Sequence, residues 1–222
     1  MNIPAHAPLH LLHRMPVGTL ATHSREPDGF PFPTMLPFAT DARHRPTILV
    51  SRLAEHTRNL QLDTRAGFLV VEAPNEAVLD GARVTLIGRF APVAADEANA
   101  VARRYLRYHP AAERYLGLGD FSFLAMDVER LRFIGGFGAM GWLNGDELDP
   151  LDPLSDEDEM FLTRKFEADV KRTSNVELAG IDRYGADLKV AGERRRVIFD
   201  APKTTLEELE QALVERLRES ID

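Results

Sequence analysis

Residues 82–93 read ARVTLIGRFAPV, and the alternation of their side chains decides the fold class. Side chains along a β-strand point to opposite faces in turn, so this stretch predicts one long strand. One face would carry Val84, Leu86, Gly88 and Phe90, and the other Arg83, Thr85, Ile87 and Arg89. Such a strand covers an apolar core with one face only, as strands of antiparallel sheets do.

Strand patterns of the same kind lie on both sides of this segment. They cover residues 18–24, 30–41, 46–51 and 66–72 before it, and residues 120–128 and 129–138 after it. Segment 30–41 is rich in proline, which cannot donate a hydrogen bond to a sheet, so we predict an edge, bulged or short strand there. Helical patterns cover residues 5–14, 53–63 and 95–109. Because strands dominate and short turns join them, the pattern predicts a small closed or half-closed antiparallel barrel.

The rest of the chain predicts a second, smaller domain. Residues 143–154 are rich in Gly, Pro and Asp, as linkers are, and we place the boundary between domains 1–145 and 146–222. Ser155 and an acidic first turn open a helix, and three short strands follow it. A capping box of Thr205 and Glu208 opens the last helix. The predicted class is α+β, an antiparallel barrel followed by an α-β-β-β-α domain.

Composition excludes several classes of site and partner. The chain has no cysteine, which excludes disulfides, thiolate zinc sites and iron–sulfur clusters. The net charge of −8 argues against nucleic acid as the main partner. No apolar run reaches the roughly 18 residues that a membrane-spanning helix needs. The start carries no secretory signal pattern, so we expect a cytoplasmic protein with no membrane partner.

The first candidate site is the segment SRLAEHTRNL, residues 51–60. A strand ends here and a helix begins, and free backbone N–H groups at a helix start bind phosphate well. Hydroxyl, guanidinium, imidazole and amide groups of the segment would assist. These candidate cofactor-binding residues are Ser51, Arg52, His56, Thr57 and Asn59. The spacing alone favours an ordinary β-to-α turn in which the serine caps the helix.

The second candidate site is RFIGGFGAMGW, residues 132–142. Its glycines would let the backbone approach a flat ligand, its aromatic rings could stack on that ligand, and its arginine could meet a negative group. The candidates are Arg132, Gly135, Gly136, Phe137, Gly138 and Trp142. The alternative is a glycine-rich strand end at a barrel corner, with the tryptophan as a core plug. The glycine spacing does not match a dinucleotide-binding fingerprint.

Taken in order, these segments resemble the pyridoxamine-5′-phosphate-oxidase-like split-barrel proteins. The strongest elements are S-x-L-A-x-H-T-x-N-L at 51–60 and GGFG-x-x-x-W at 135–142. The resemblance is closest to the subgroup with a small C-terminal α/β domain, which includes the HugZ-type haem-degrading proteins and the plastid glutamyl-tRNA-reductase-binding proteins. It covers essentially the whole chain.

The resemblance implies a split barrel of six or seven strands that pairs as a homodimer, with ligand sites at the dimer interface. The ligand is usually FMN and in some members haem. By position, the region that holds the flavin phosphate matches Ser51, Arg52, His56 and Thr57. The backbone that borders the isoalloxazine edge matches Pro33, Thr34 and Met35. The closing strand, which reaches the site across the dimer, matches Gly135 to Gly138 and Trp142.

Three departures from the family pattern limit what carries over. The first domain has no lysine, whereas pyridoxamine-phosphate oxidases hold the flavin phosphate with lysine as well as arginine. The helix at 160–169 lacks the histidines that open the C-terminal domain in many relatives. No histidine follows His109, so the C-terminal iron ligand of the haem-degrading members is missing.

Three functions are compatible with these observations. The first is a dimeric FMN-binding flavoprotein, an oxidoreductase whose substrate, electron partner and catalytic residues the sequence does not name. The second is a haem-binding or haem-degrading protein that uses Arg132 and one of His10, His13 and His23. The third is a cofactor-free binding module. We expect no metal site, because His6, His10 and His13 lack a neighbouring carboxylate and predict a solvated helix face.

Overall fold

The computed structural model describes residues 3, 6–72, 81–136, 139–170 and 176–221. The chain forms two compact units, residues 1–150 and 151–222. The predicted boundary at residue 145 falls within a 3₁₀ turn, Gly145–Glu147, that follows the last strand of the first unit.

The first unit is a curled antiparallel sheet with helices at its ends. Its strands are β1 (Val17–Arg25), β2 (Asp28–Pro37), β3 (Ala39–Thr40), β4 (Pro46–Ser51), β5 (Arg65–Val71), β6 (Arg83–Pro92), β7 (Phe121–Ile134) and β8 (Met140–Asn144). Its helices are α1 (Ala7–Arg14), α2 (Glu55–Leu62), α3 (Ala98–Tyr108) and α4 (Glu113–Leu116). The order in the sheet is β2-β1-β5-β6-β7-β4-β3, and β8 pairs with β7. The predicted α+β class with a split antiparallel barrel is confirmed.

The proline-rich strand β2 lies at an edge of the sheet, as its composition predicts. It pairs with β1 along one side only. The chain then continues into β3, which pairs with β4, and β2 itself approaches β4. The sheet therefore curls until its first and last strands lie close together.

The interior of the barrel is filled by one face of each strand. Val84, Leu86 and Phe90 of β6 are almost completely buried, which confirms the predicted inner face of that strand. The rings of Phe38, Phe68 and Phe90 pack edge to face, with centroid separations of 5.1 and 6.0 Å. This geometry is preferred between aromatic rings and fixes the centre of the core.

The structure differs from the predicted strands after residue 120. Residues 120–138 were expected to form two strands, but Phe121–Ile134 is a single strand. A register shift opposite Ile87 and Gly88 interrupts its alternation, and the sequence pattern therefore breaks there. The glycines that follow turn the chain back into β8, so the described residues hold eight strands in this sheet rather than six or seven.

Gly88 lies at this irregularity, and substitution there tests the close approach of β6 to β7. We expect Gly88→Ala to lower the free energy of unfolding by about 1–3 kcal/mol, as overpacking does. The reason is that an added Cβ would lie 2.0 Å from the backbone oxygen of Asp127. Gly67→Ala, on the adjacent strand β5, is the matched control, since its Cβ would have no neighbour closer than 3.9 Å. Urea unfolding followed by circular dichroism measures both, and equal midpoints would contradict this interpretation.

The second unit has the predicted α-β-β-β-α order. It consists of α5 (Asp156–Val170), β9 (Val176–Asp182), β10 (Gly185–Val190), β11 (Glu193–Ile198) and α6 (Leu206–Ile221), and its sheet order is β11-β10-β9. The capping box is present, because Glu208 N donates to Thr205 Oγ1 at 3.2 Å and Thr205 N donates to the Glu208 carboxylate at 3.1 Å. Its core is formed by side chains of both helices and the sheet, among them Leu162, Phe166, Ile181, Leu188 and Leu209. Within the described part of the chain, no helix has the length and apolar composition needed to span a bilayer.

Candidate functional site

Six strands of the first unit share an outer face, which points away from the core. Residues that pair directly across neighbouring strands form one continuous row on this face. The row runs from β2 through β1, β5, β6 and β7 to β8. The row is Met35, Thr19, Leu69, Thr85, Arg132 and Trp142. Met35, from the predicted isoalloxazine edge, and Arg132 and Trp142, from the second candidate site, therefore lie on this one outer face.

The outer face carries large apolar side chains that the first unit leaves exposed. Met35 is 72% exposed, Trp142 47%, Ile87 44% and Val17 43%. Most of the other apolar side chains of the sheet are buried in the barrel, so this concentration on one face is unusual. An exposed apolar surface of this kind marks a site for a ligand or a second protein.

Two arginines flank Trp142 at the β8 edge of the outer face. The guanidinium carbons of Arg130 and Arg132 lie 4.8 and 5.8 Å from the centre of a Trp142 ring. Among the described residues neither arginine forms an ion pair, so both charges are available to an anion. We call Arg130, Arg132 and Trp142 the arginine–tryptophan clamp. Arg130 was missed by sequence reasoning, although the Arg-Leu-Arg pattern at 130–132 of a strand places both guanidinium groups on one face.

His23 lies on the outer face of β1, toward its charged end. All seven histidines lie within the described residues, and His23 is the one that is largely exposed. It is close enough to Asp63 for its charge to act on that carboxyl group. Hydrogen bonds from Arg65, at 2.5 to 3.1 Å, hold the pKa of Asp63 well below its usual range. His23 is therefore the histidine best placed to meet a ligand on this face.

The histidines of α1 do not form the solvated face that the sequence predicted. His13 is 1% exposed, and its Nε2 lies 2.8 Å from Nδ1 of His44, which is also buried. The other nitrogens of this pair meet Thr40 Oγ1 at 3.2 Å and the Asp149 carboxylate at 3.0 Å. The helix packs against the barrel, and His13 is hydrogen-bonded to residues of the barrel unit rather than to water. Because both ring nitrogens of His13 are engaged, it is not available as an iron ligand in this arrangement.

At the junction of β4 and α2, the hydroxyl of Ser51 is bound by an acidic side chain. Ser51 Oγ donates to Asp120 Oδ2 at 2.5 Å and accepts from Leu53 N at 3.1 Å. The backbone N–H of Arg52 donates to the Asp120 carbonyl oxygen at 2.9 Å. Sequence reasoning missed Asp120, and the available signal was its position directly before β7, which pairs with β4.

The remaining predicted residues of α2 have different environments. Burial lowers the pKa of His56. Thr57 is buried, and its Oγ1 has no hydrogen-bond partner among the residues that the structure describes. Asn59 is fully buried, donates to Thr22 Oγ1 at 3.0 Å and accepts from Arg25 N at 3.2 Å. In this geometry Asn59 fixes α2 to β1 and presents no atom to a ligand.

The structure brings some of the predicted residues together and separates others. Pro33 and Met35 are exposed on β2, Thr34 is half-buried, and β2 approaches β4, the strand that ends at Ser51. The arginine–tryptophan clamp lies five strands from β2, which is roughly 24 Å along the sheet. Gly135 and Gly136 follow β7, with φ of 99° at Gly136, and Phe137 and Gly138 lie outside the described residues. Ligand binding by the predicted residues stays a prediction.

The fold agrees with what comparison with known proteins shows. The model of the CREG β-barrel family matches residues 4–149. The chain belongs to this family. The resemblance to the split-barrel proteins is thereby confirmed.

Individual relatives extend the match. A heme-binding protein from Mycobacterium smegmatis is similar over 100% of this chain and 99% of its own, with 28% identity and a TM-score of 0.62. The protein Atu2129 of Agrobacterium tumefaciens, of unknown function, covers 94% of this chain and 92% of its own, with 22% identity and a TM-score of 0.74, which shows a shared fold. The non-canonical heme oxygenase HOZ, chloroplastic, of Arabidopsis thaliana is 34% identical over 119 residues, which are 54% of this chain and 36% of that protein.

Proposed function

We propose that this protein binds haem on the outer face of its barrel sheet. The observation that carries the proposal is the arginine–tryptophan clamp at the border of an exposed apolar surface. Haem is a flat, largely apolar ring with two carboxylate groups at one side. It needs an apolar surface for the ring and cations for the carboxylates, and this face offers both.

The residues present fit haem in three respects. Arg130 and Arg132 can bind carboxylates bidentately, which lysine cannot do. Trp142 offers a ring for stacking next to those charges. His23 offers an exposed imidazole on the same face, and neutral imidazole is a common haem ligand. When bound, haem supplies the iron and oxygen chemistry, while the protein holds and orients it.

Two relatives support the choice of ligand. The Mycobacterium smegmatis protein, which matches nearly its whole length, is a heme-binding protein. The Arabidopsis thaliana protein is a non-canonical heme oxygenase, and this chain matches 36% of its length. Haem degradation is therefore the reaction that we propose to test once binding is shown.

The site needs a second copy of the chain. His23 and the clamp lie on strands four apart, which is roughly 19 Å along the sheet, so one chain does not place both around a single small contact area. A two-fold dimer that buries the two outer faces would cover the exposed side chains of Met35 and Ile87 and bring different strands to one ligand. We therefore propose a homodimer with haem at its interface.

A haemin titration followed by absorption spectroscopy tests the proposal. We expect a saturable Soret shift at one haem per chain. His23→Ala should alter the position or intensity of that Soret band, because it removes the proposed iron ligand. The matched control is His56→Ala, since His56 is half-buried on α2 and away from the outer face. A titration without saturation would overturn the haem proposal, and an unchanged spectrum in His23→Ala would overturn the role of His23.

The same spectrum separates the other predicted functions. Flavin bands that survive gel filtration would support the FMN flavoprotein and justify a search for oxidoreductase activity. A spectrum that neither FMN nor haemin changes would favour the cofactor-free binding module. No observation on the outer face favours either of these over haem.

A further inference from the structure

We infer that Asp120 is a specificity-determining residue that excludes phosphorylated flavins from this barrel. Its carboxylate occupies the place at the start of α2 where the sequence pattern predicts the flavin phosphate. The inference does not depend on haem binding, because it concerns the rejection of another ligand at a different part of the barrel.

The hydrogen bonds at this junction leave little for a phosphate. Ser51 has one hydroxyl proton, and the Asp120 carboxylate accepts it at 2.5 Å. The N–H groups of Arg52 and Leu53 are also used, by the Asp120 carbonyl oxygen and by Ser51 Oγ. A phosphate needs several such donors, and these three already serve internal acceptors, while the buried Thr57 hydroxyl is left without a partner among the described residues.

The charges around the junction also oppose an anion. Asp120 brings a carboxylate beside Ser51, and Glu55 brings a second one in the first turn of α2. Arg25 donates to Glu55 at 2.9 Å, and its charge is thereby matched. Arg58 also lies 3.9 Å from Glu55. Arg52 is exposed with no ion pair among the described residues, so the carboxylate of Asp120 is the negative charge placed directly at Ser51. Like charges placed side by side are a strong means of rejecting a ligand.

The absence of lysine from the first domain also argues against binding of the FMN phosphate. The resemblance to flavin-binding relatives implies lysine and arginine around the phosphate, whereas here the exposed arginine, Arg52, follows a serine whose hydroxyl is held by a carboxylate. The residues at this junction therefore fit the FMN phosphate poorly.

The test compares FMN with riboflavin, which carries the same ring without the phosphate. Both are titrated against wild-type protein and Asp120→Asn, with flavin fluorescence as the readout. Asparagine keeps the shape of the side chain and an oxygen that can accept from Ser51, but it removes the charge and adds a donor. We expect the FMN dissociation constant of Asp120→Asn to fall at least about tenfold, with riboflavin binding unchanged. Asp127→Asn is the matched control, because it removes an exposed carboxylate from β7, the strand that directly follows Asp120.

Three results would overturn the inference. They are tight FMN binding by the wild-type protein, an FMN affinity of Asp120→Asn equal to that of the wild type, and an equal gain for riboflavin. The last result would mean that the ring, and not the phosphate, responds to the charge. Melting curves establish that the variants are folded. If Asp120→Asn does not fold, Asp120→Ser replaces it in the same titrations. A failure here leaves the haemin titration unaffected, so the two proposals fail separately.

Discussion

Replacement of Arg196 with leucine is expected to destabilise the second unit by about 3–5 kcal/mol, the range for breaking a buried ion pair from one side. Arg196 lies on β11 with its side chain fully buried. It donates to Asp182 at 2.9 Å and to Asp187 at 2.9 Å, and both carboxylates are almost completely buried as well. The substitution removes a cation that pairs with two buried anions.

The electrostatics of Arg196 and its two carboxylate partners explain why the expected loss of stability is large. Burial alone lowers the pKa of the Arg196 guanidinium, but the two carboxylates and their hydrogen bonds outweigh it and raise the pKa. The arginine is therefore charged throughout the accessible pH range. Leucine is apolar, so it leaves the buried carboxylates of Asp182 and Asp187 without the charge and the hydrogen bonds of Arg196.

Arg195→Leu is the matched control for this substitution. Arg195 is the preceding residue on the same strand, is 59% exposed and lies 3.7 Å from an exposed carboxylate of Glu193. Exposed pairs of this kind contribute at most about 1 kcal/mol. Amide exchange of residues 176–198, measured by NMR, reports on this unit directly. Equal exchange rates in Arg196→Leu and Arg195→Leu would contradict the role of the buried ion pairs.

Much of the fold could be predicted from local patterns in the sequence. The alternation in residues 82–93 identified the inner face of β6, and the prolines of β2 identified an edge strand. The capping box at Thr205 identified the start of α6. Each of these signals lies within a few residues of the feature that it predicts, and local geometry alone produces it.

The features that the sequence did not reveal depend on distant residues. Ser51 and Asp120 are separated by 69 positions, and His13 and His44 by 31. No periodicity relates such pairs, so the sequence could not show that a carboxylate occupies the predicted phosphate site or that histidines of α1 are paired. Strand β8 was missed for another reason, because the glycines around it resemble a loop more than a strand.

Some features of the candidate site follow from residues that are close in sequence, and others depend on pairing between distant strands. Trp142 and Arg132 were predicted together because they are close in sequence, and the structure places them as direct partners across β7 and β8. The row that connects them to Met35 requires four further strand pairings. Only the assembled sheet shows that one outer face links Met35 to the second candidate site.

The double substitution Arg130→Ala and Arg132→Ala is expected to weaken haemin binding at least about 100-fold. A hydrogen bond to a charged group contributes about 1.5–3 kcal/mol, so each lost arginine–carboxylate contact accounts for roughly tenfold or more. The Soret position of the residual complex should stay that of the wild type, because the proposed iron ligand His23 is unchanged. Haemin titration of the two single variants and the double variant measures the effect.

Arg89→Ala distinguishes specific carboxylate binding from a general effect of charge. Arg89 lies on β6, faces the same side of the sheet and donates to Glu129 at 3.1 Å, so it carries the same charge but is already paired. Its loss should change the haemin affinity little. If Arg89→Ala weakened binding as much as Arg130→Ala, the clamp would be no more than part of a diffuse positive field. If the double variant bound haemin like the wild type, the carboxylates would have to be held elsewhere, because the described residues offer no second pair of unpaired arginines around an exposed aromatic ring on this face.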